Sequence, residues 1–221
     1  MTVFDIISKH SSELLHGLGV TFALCFIVWL CSFVAGSALG VLATRYPRAV
    51  GLPTKCLSIL FAGMPAIVFL FWLHYPAQAM LKIVIDPFIT AAVAISILGV
   101  FIVADSMRNV LAGLPSQYGL AGKVCGLTNR QILFRIKVPL ITRQILPNFI
   151  FIAVTLFHMT LFSAFISVDE IFRVSLRINS VVYRPIEVFT ALAVFCVVLC
   201  APLILLANRI GSRYTRDISE R

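Results

Sequence analysis

Five stretches of this chain, 18–44, 58–75, 85–104, 147–166 and 188–208, are so continuously apolar that only a lipid bilayer can serve as their solvent. About 20 apolar residues are needed to cross the hydrocarbon as a helix, and each stretch comes close to that length. Backbone groups in lipid find no water, so each crossing segment must satisfy its own hydrogen bonds. The runs lack the two-residue alternation of a membrane β-barrel, which leaves helices. The expected fold is an all-α integral membrane protein with five transmembrane helices, in a single domain over 1–221. Composition agrees: 60% of residues are apolar and 12% charged, more apolar surface than one soluble core could bury.

Lys and Arg orient the chain. Arg45, Arg48 and Lys55 follow the first stretch. Arg108, Lys123, Arg130, Arg135, Lys137 and Arg143 lie between the third and fourth, and Arg209, Arg213, Arg216 and Arg221 follow the fifth. Only Lys9, Lys82, Arg173, Arg177 and Arg184 fall on the other side. Basic loops stay in the cytoplasm, so the N-terminus is expected outside and the C-terminus in the cytoplasm. The net charge of +9 therefore reports topology, and no nucleic-acid partner is expected.

The first 17 residues hold Asp5 and Glu13 and no basic stretch ahead of the apolar run, so a cleaved signal peptide is not expected. A short amphipathic helix on the outer surface, with Phe4, Ile6, Ile7, Leu14 and Leu15 toward lipid, is expected instead. The six cysteines show no CxxC spacing, and all but Cys125 lie in or beside the apolar runs, so they read as small buried hydrophobes. The four histidines are scattered, and no metal site is expected. No Ser/His/Asp set or carboxylate pair recurs within the apolar runs, which argues against an intramembrane enzyme.

The largest polar excursion, 105–146, is on the cytoplasmic side of this scheme. Pro115, Gly119, Gly122 and Gly126 divide it into two short helical pieces, 116–125 and 128–138. Thr128 is placed to cap the second, with Ile132, Leu133 and Ile136 on one face. Such a helix either lies among lipid headgroups or docks in a partner's groove.

Leu120-Ala121-Gly122, three residues, Gly126, nine residues, Ile136, one residue and Val138-Pro139 is a spacing that resembles the EAA loop of bacterial ABC-importer permeases. The resemblance is closest to the polar amino-acid branch of that family. Gly17, Gly19, Thr21, Gly36 and Gly40 are similar to its first-span pattern, and Phe61-Ala62-Gly63-Met64-Pro65 to its FRGTP box. Ala104-Asp105, Arg108 and Pro115 resemble the AE, R and P ahead of the loop. Leu146-Pro147, Val168 with Glu170, and Arg184-Pro185-Ile186-Glu187-Val188 resemble LP, GVxE and RPFEV.

The resemblance implies the MetI-like fold and a permease subunit in the bacterial cytoplasmic (inner) membrane. Its partners would be a second permease subunit (homo- or heterodimer), two ATPase subunits docked on the 115–140 loop and an external substrate-binding protein. The substrate would be a polar amino acid. The chain itself would be non-catalytic and bind no cofactor, with ATP and Mg on the ATPase. No GxxxxGK[ST] motif occurs; at Gly122-Lys123, Gln117 stands where the first glycine belongs and Val124 where Ser or Thr belongs.

In these terms the ATPase-coupling residues are Leu120, Ala121, Gly122, Gly126, Ile136 and Pro139. Candidates for a substrate path are Asp105, His158, Thr160, Gly63 and Pro65, since ionisable groups and helix breaks at membrane depth are costly. Each has a plainer reading: Asp105 and Arg108 as an interfacial ion pair, His158 as a packing residue, Pro65 and Pro202 as packing kinks. Asp169, Glu170 and Arg173 form either a solvated helix end or a docking contact for the binding protein. Gly36-Ser37-Ala38-Leu39-Gly40 reads as a face for close helix packing.

The chain departs from the pattern in one direction. Leu120 replaces the Glu of EAA, Ala62 and Met64 replace Arg and Thr, and His158-Met159 stand where Lys-Asp is usual. A divergent, non-transporting subunit that tethers or senses is therefore the alternative.

Overall fold

The computed structural model describes residues 8–219, and among them the chain is helical with no strand. Helix α1, Ser11–Arg45, starts ahead of the expected span. Ser8 and Lys9 are helical ahead of a turn at His10, and the rest of the expected surface helix, with Phe4, Ile6 and Ile7, lies outside the described residues. Leu15 is exposed, but Leu14 turns inward against Val174, Ile178 and Val188, because a later helix covers that face.

A π-helical turn at Pro47–Gly51 leads to α2, Leu52–Gly63, followed by α3, Ala66–His74, and α4, Pro76–Leu81. The expected second span, 58–75, is thus not one helix. The chain bends by 97° at Met64-Pro65, where Met64 is extended (φ −101°, ψ 125°). Proline has no N–H for the helix ladder and pushes the preceding residue out of the helical region. A full break results at Pro65 where only a kink was expected.

Helix α5, Pro87–Ala112, opens on a cap that its sequence announces. The Asp86 carboxylate accepts from the N–H groups of Phe88 (2.8 Å) and Ile89 (3.4 Å), with Pro87 in the first turn. Beside it the buried Gln78 accepts from the Ile85 N–H (2.8 Å) and donates to Thr90 Oγ1 (3.0 Å), which ties the α4–α5 connection to α5. Gln78→Leu leaves the Ile85 N–H unpaired, while the Thr90 hydroxyl keeps its bond to the Asp86 oxygen (3.0 Å), and is expected to cost about 1–3 kcal/mol, read as a lowered midpoint of thermal unfolding in detergent. An unchanged midpoint would mean that water replaces the side chain.

After α5 come α6, Ser116–Val124, and α7, Asn129–Ile132. A π-helical turn at Leu133–Lys137 then runs into α8, Val138–Thr160, and a 3₁₀ turn at Leu161–Ile166. Helix α9, Ile171–Val182, and α10, Pro185–Ser219, complete the chain. The helix pattern continues through Pro147 in α8 and Pro202 in α10.

The helix pairings follow from small residues. A Cβ at Gly36 would lie 2.6 Å from Val103 Cβ and 2.7 Å from the Val100 carbonyl oxygen. One at Gly40 would lie 2.7 Å from Met107 Cβ and 2.8 Å from the Ala104 oxygen. The small-residue face therefore brings α1 against α5. Both registers increase together, so α1 and α5 run parallel, and the bent α2–α4 segment carries the chain back between them. Helix α8 runs antiparallel to both: Trp29 Nε1 donates to the Ala153 oxygen (3.0 Å), and Phe33 stacks on Phe149 at 4.8 Å. Helix α10 returns along α8, with Cys200 by His158 and Gly211 by Pro147.

Leu24, Val28, Leu70, Ile95, Leu98, Leu156 and Ile166 form the buried centre. Among the described residues four helical stretches are long and apolar enough to cross a membrane: α1, α5, Asn129–Ile166 and Pro185–Ser212. The bent α2–α4 segment passes the same test as a pair. Only Cys25 and Cys200 are buried; Cys31 and Cys56 are exposed on their helices and Cys125 in the turn after α6, contrary to the expectation for buried thiols.

Candidate coupling loop and solute path

The loop after α5 folds into a small helical unit. Helix α6 ends on Gly126 in the left-handed conformation (φ 75°), which a residue with a Cβ rarely adopts. The Gly126 N–H donates to the Lys123 oxygen and the Leu127 N–H to the Gly122 oxygen, each at 3.0 Å, closing the helix end. Thr128 then caps α7 as expected, through a reciprocal box with Gln131: Gln131 N–H donates to Thr128 Oγ1 (3.3 Å), and Thr128 N–H to Gln131 Oε1 (2.9 Å).

Gly122 allows the two pieces to touch. A Cβ there would meet Ile132 Cγ1 at 2.8 Å and Ile136 Cδ1 at 3.2 Å. Ile132 is therefore buried rather than displayed, while Leu120 (61% exposed) and Val124 (88%) form the outward apolar face of α6. Ala121, Lys123 and Arg130 are also exposed.

Pro139 does not end the second piece, as the sequence suggests it should. Helix runs from Asn129 through Ile166 because the π turn widens just ahead of the proline: the Val138 N–H donates to the Leu133 oxygen, five residues back. Pro139 then falls in the first turn of α8, where a missing N–H costs little. The membrane segment expected at 147–166 is thus the far end of a longer helix.

The candidate path residues separate into two places. Asp105 lines a cavity of about 270 Å³ in the elbow between α2 and α3, together with Ser58, Phe61, Ala62, Met64 and Met159. Its carboxylate pairs with Arg108 at 2.7 Å, as their spacing suggested. Gly63 and Pro65 mark the bend and are exposed; no atom lies within 4 Å of a Cβ built on Gly63.

His158 and Thr160 lie on other faces of α8. His158 Nε2 is 3.6 Å from Cys200 Sγ on α10. Thr160 is 1% exposed, and its hydroxyl donates to the Phe157 oxygen (2.7 Å) with Cys25 Sγ at 3.3 Å. Consecutive helix positions point about 100° apart, so the polar trio His158, Met159 and Thr160 cannot share one wall.

The charged turn after α8 also divides. Asp169 and Arg173 pair at the surface (3.3 Å), and the Arg173 guanidinium donates to the Ala164 oxygen (2.9 Å). Glu170 instead is fully buried as the cap of α9, accepting from the N–H groups of Phe172 (2.9 Å) and Arg173 (2.8 Å). It presents nothing to an outside partner. Helix α9 is clamped to α1 beside it: the Ile171 N–H donates to Thr21 Oγ1 (3.0 Å), and Val174 fills the space over Gly17.

Burial pushes the Glu170 carboxyl up to about 7, against the lowering effect of its two N–H donors. A carboxyl raised in the fold holds its proton longer there than in the unfolded chain. Stability is therefore greatest below about pH 4.5 and falls as pH rises toward 7, by on the order of 3 kcal/mol. Unfolding midpoints in detergent between pH 4.5 and 8 are expected to show that slope, and Glu170→Gln to remove it. A slope that persists in Glu170→Gln would assign the titration elsewhere.

Sequence reasoning missed the buried cap at Glu170, the Gln78 bridge and the Gly17 contact. The first had a local mark, an acidic residue directly ahead of an amphipathic helix. The Gln78 bridge spans a turn and had none, and Gly17 was marked only as part of the first-span pattern, because its partner Val174 is distant in sequence.

The sequence profile of the family "binding-protein-dependent transport system inner membrane component" matches residues 34–218, and the chain belongs to that family. It is an ABC-importer permease subunit of the MetI-like type, a class in which a separate ATPase hydrolyses ATP. Among curated relatives, the octopine transport system permease protein OccM of Rhizobium radiobacter is 25% identical over 182 residues, covering 78% of this chain and 74% of that protein. Its Rhizobium meliloti counterpart is 24% identical over 181 residues, covering 77% and 74%. Among solved structures, an amino acid ABC transporter with histidines superposes with a TM-score of 0.83 at 18% identity, covering 94% of this chain and 96% of that one. The MetNI methionine ABC transporter in an inward-facing conformation gives 0.70 at 19%, covering 95% and 98%.

Proposed function

We propose that this chain imports a polar amino acid as one of two permease subunits, driven by a separate ATPase pair docked on the 115–140 loop and supplied by an external binding protein. The observation that carries this reading is the α6–α7 unit. Gly122 seats α6 on Ile132 and Ile136, and the helix from Asn129 through Ile166 joins that seat directly to the membrane. A push on the exposed Leu120–Val124 face is then transmitted as a rigid-body motion. The apolar face, rimmed by Lys123 and Arg130, replaces the charged contact that a Glu at Leu120 would make.

Five crossings with the N-terminus outside fit the helix pairings. Parallel α1 and α5 require the bent α2–α4 segment to bring the chain back across, and antiparallel α8 followed by α10 adds two more crossings. The single domain over 1–221, in a bacterial cytoplasmic membrane, goes with this topology. The polar amino-acid assignment is supported by the motif resemblance and by the octopine permeases among its relatives.

The test is paired. The tagged chain should co-purify with an ATPase, and cells expressing the complete system should accumulate a labelled amino acid. Deleting 116–128 should abolish both. Normal uptake by the deletion would overturn the reading, and ATPase binding without any uptake would favour the tether or sensor.

A further inference from the structure

The corner where α1 turns into α2 carries three cations and no counter-charge. Arg45 ends α1, Arg48 lies in the π-helical turn and Lys55 in the first turn of α2, and all three are exposed. No acidic residue occurs between Arg45 and Ile85. None of the three forms an ion pair among the described residues, whereas Arg108, Arg173, Arg177 and Arg184 each have a carboxylate within 3.5 Å. The backbone holds the corner closed: a Cβ at Gly51 would lie 2.7 Å from the Ala43 carbonyl oxygen, and the Gly51 N–H donates to the Tyr46 oxygen (3.1 Å). The Arg45 guanidinium lies 5.7 Å from the centre of the Tyr46 ring, within cation–π range.

Pro47–Gly63 is one helical piece, and its faces differ. Gly51, Thr54 and Ser58 are buried, while Arg48, Leu52, Lys55 and Ile59, at steps of four, three and four residues, form an exposed stripe. The stripe begins basic and ends aliphatic, the order in which a bilayer passes from headgroup to hydrocarbon.

We propose that this corner binds an anionic phospholipid of the inner leaflet, its phosphate among Arg45, Arg48 and Lys55 and an acyl chain along Leu52 and Ile59; the inner placement rests on the topology proposed above. Guanidinium and ammonium groups only donate and phosphate oxygens only accept, so the two sets match. The cytoplasmic leaflet is the one whose anionic lipids attract basic segments beside a membrane helix. Tyr46, half exposed at the same corner, is a residue type that settles at headgroup level. A soluble acidic partner would match the cations and leave Leu52 and Ile59 in water. An uncharged apolar partner would match only the aliphatic half.

Native mass spectrometry of the full chain, purified in detergent with its cognate subunits and given equal amounts of phosphatidylglycerol and phosphatidylcholine, tests this. The wild type is expected to retain phosphatidylglycerol at least fivefold over phosphatidylcholine. Arg45→Gln, Arg48→Gln and Lys55→Gln together should reduce that preference to twofold or less. Lys123→Gln, Arg130→Gln and Lys137→Gln together remove the same charge from the 115–140 loop and should leave it unchanged. No preference in the wild type, as when a partner subunit covers the corner, or an equal loss in both triple variants would overturn the assignment. Displacement of the lipid by excess inorganic phosphate at constant ionic strength would also overturn it, in favour of a free-anion site. Orientation is read separately, from a phosphatase fused after Arg221: an active fusion would place the C-terminus outside and overturn the inner-leaflet placement and the topology, while the lipid preference measured in detergent stands or falls on its own.

Discussion

Gly122→Val is expected to lower solute uptake at least tenfold while the protein still inserts and accumulates in the membrane. Even a bare Cβ at Gly122 would sit 2.8 Å from Ile132 Cγ1, and the two further methyl groups of valine would have to enter the space already held by Ile132 and Ile136. Those isoleucines belong to the helix that continues to Ile166, so it is α6 that must lift away. With α6 detached, a push on Leu120 and Val124 no longer moves the membrane helices. ATP hydrolysis and uptake measured together would show hydrolysis retained and uptake lost. Wild-type uptake in Gly122→Val would mean that α6 and α8 need not move as one body.

Gly36→Leu is expected to destabilise the protein by about 1–3 kcal/mol or more, in the range of overpacked cores. The neighbour at 2.7 Å is the Val100 carbonyl oxygen, which cannot rotate aside as a side-chain end could, and the Val103 Cβ at 2.6 Å is equally fixed to its backbone. The substitution therefore separates α1 from α5 along their whole contact. Gly19→Leu is the control, since no atom lies within 4 Å of a Cβ built there, and it should shift stability by no more than about 0.5 kcal/mol. Thermal melts in detergent would compare the two. Equal midpoints for Gly36→Leu and Gly19→Leu would exclude the tight α1–α5 contact.

What the sequence disclosed were features that local chemistry controls. The apolar runs located α1, α5, α8 and α10; Gly126 and Thr128 marked the end of α6 and the start of α7; Asp105 and Arg108 were correctly paired from their spacing. What it hid was decided by distant neighbours. Pro65 reads as a kink in any hydropathy window, because averaging over 58–75 cannot distinguish one bent helix from two separate ones. Pro139 reads as a stop, because a π turn that accommodates it leaves no residue signature. Glu170 reads as a surface charge until Thr21, about 150 residues earlier, closes over the start of α9. For the candidate site, Asp105 and the Phe61–Pro65 box were visible one by one, but their convergence with Ser58 on one cavity depends on the fold.

Parallel packing of α1 and α5 also sets a timetable for making the protein. Gly36 and Gly40 emerge from the ribosome some 60 to 70 residues before Val103 and Met107, an interval of about 3–13 s at ordinary elongation rates. During that interval the small-residue face of α1 has no partner of its own, while the α2–α4 elbow is threaded past it. Membrane insertase or lipid must shield the face until α5 arrives. A pause in translation between residues 45 and 100 lengthens the time for which that face waits.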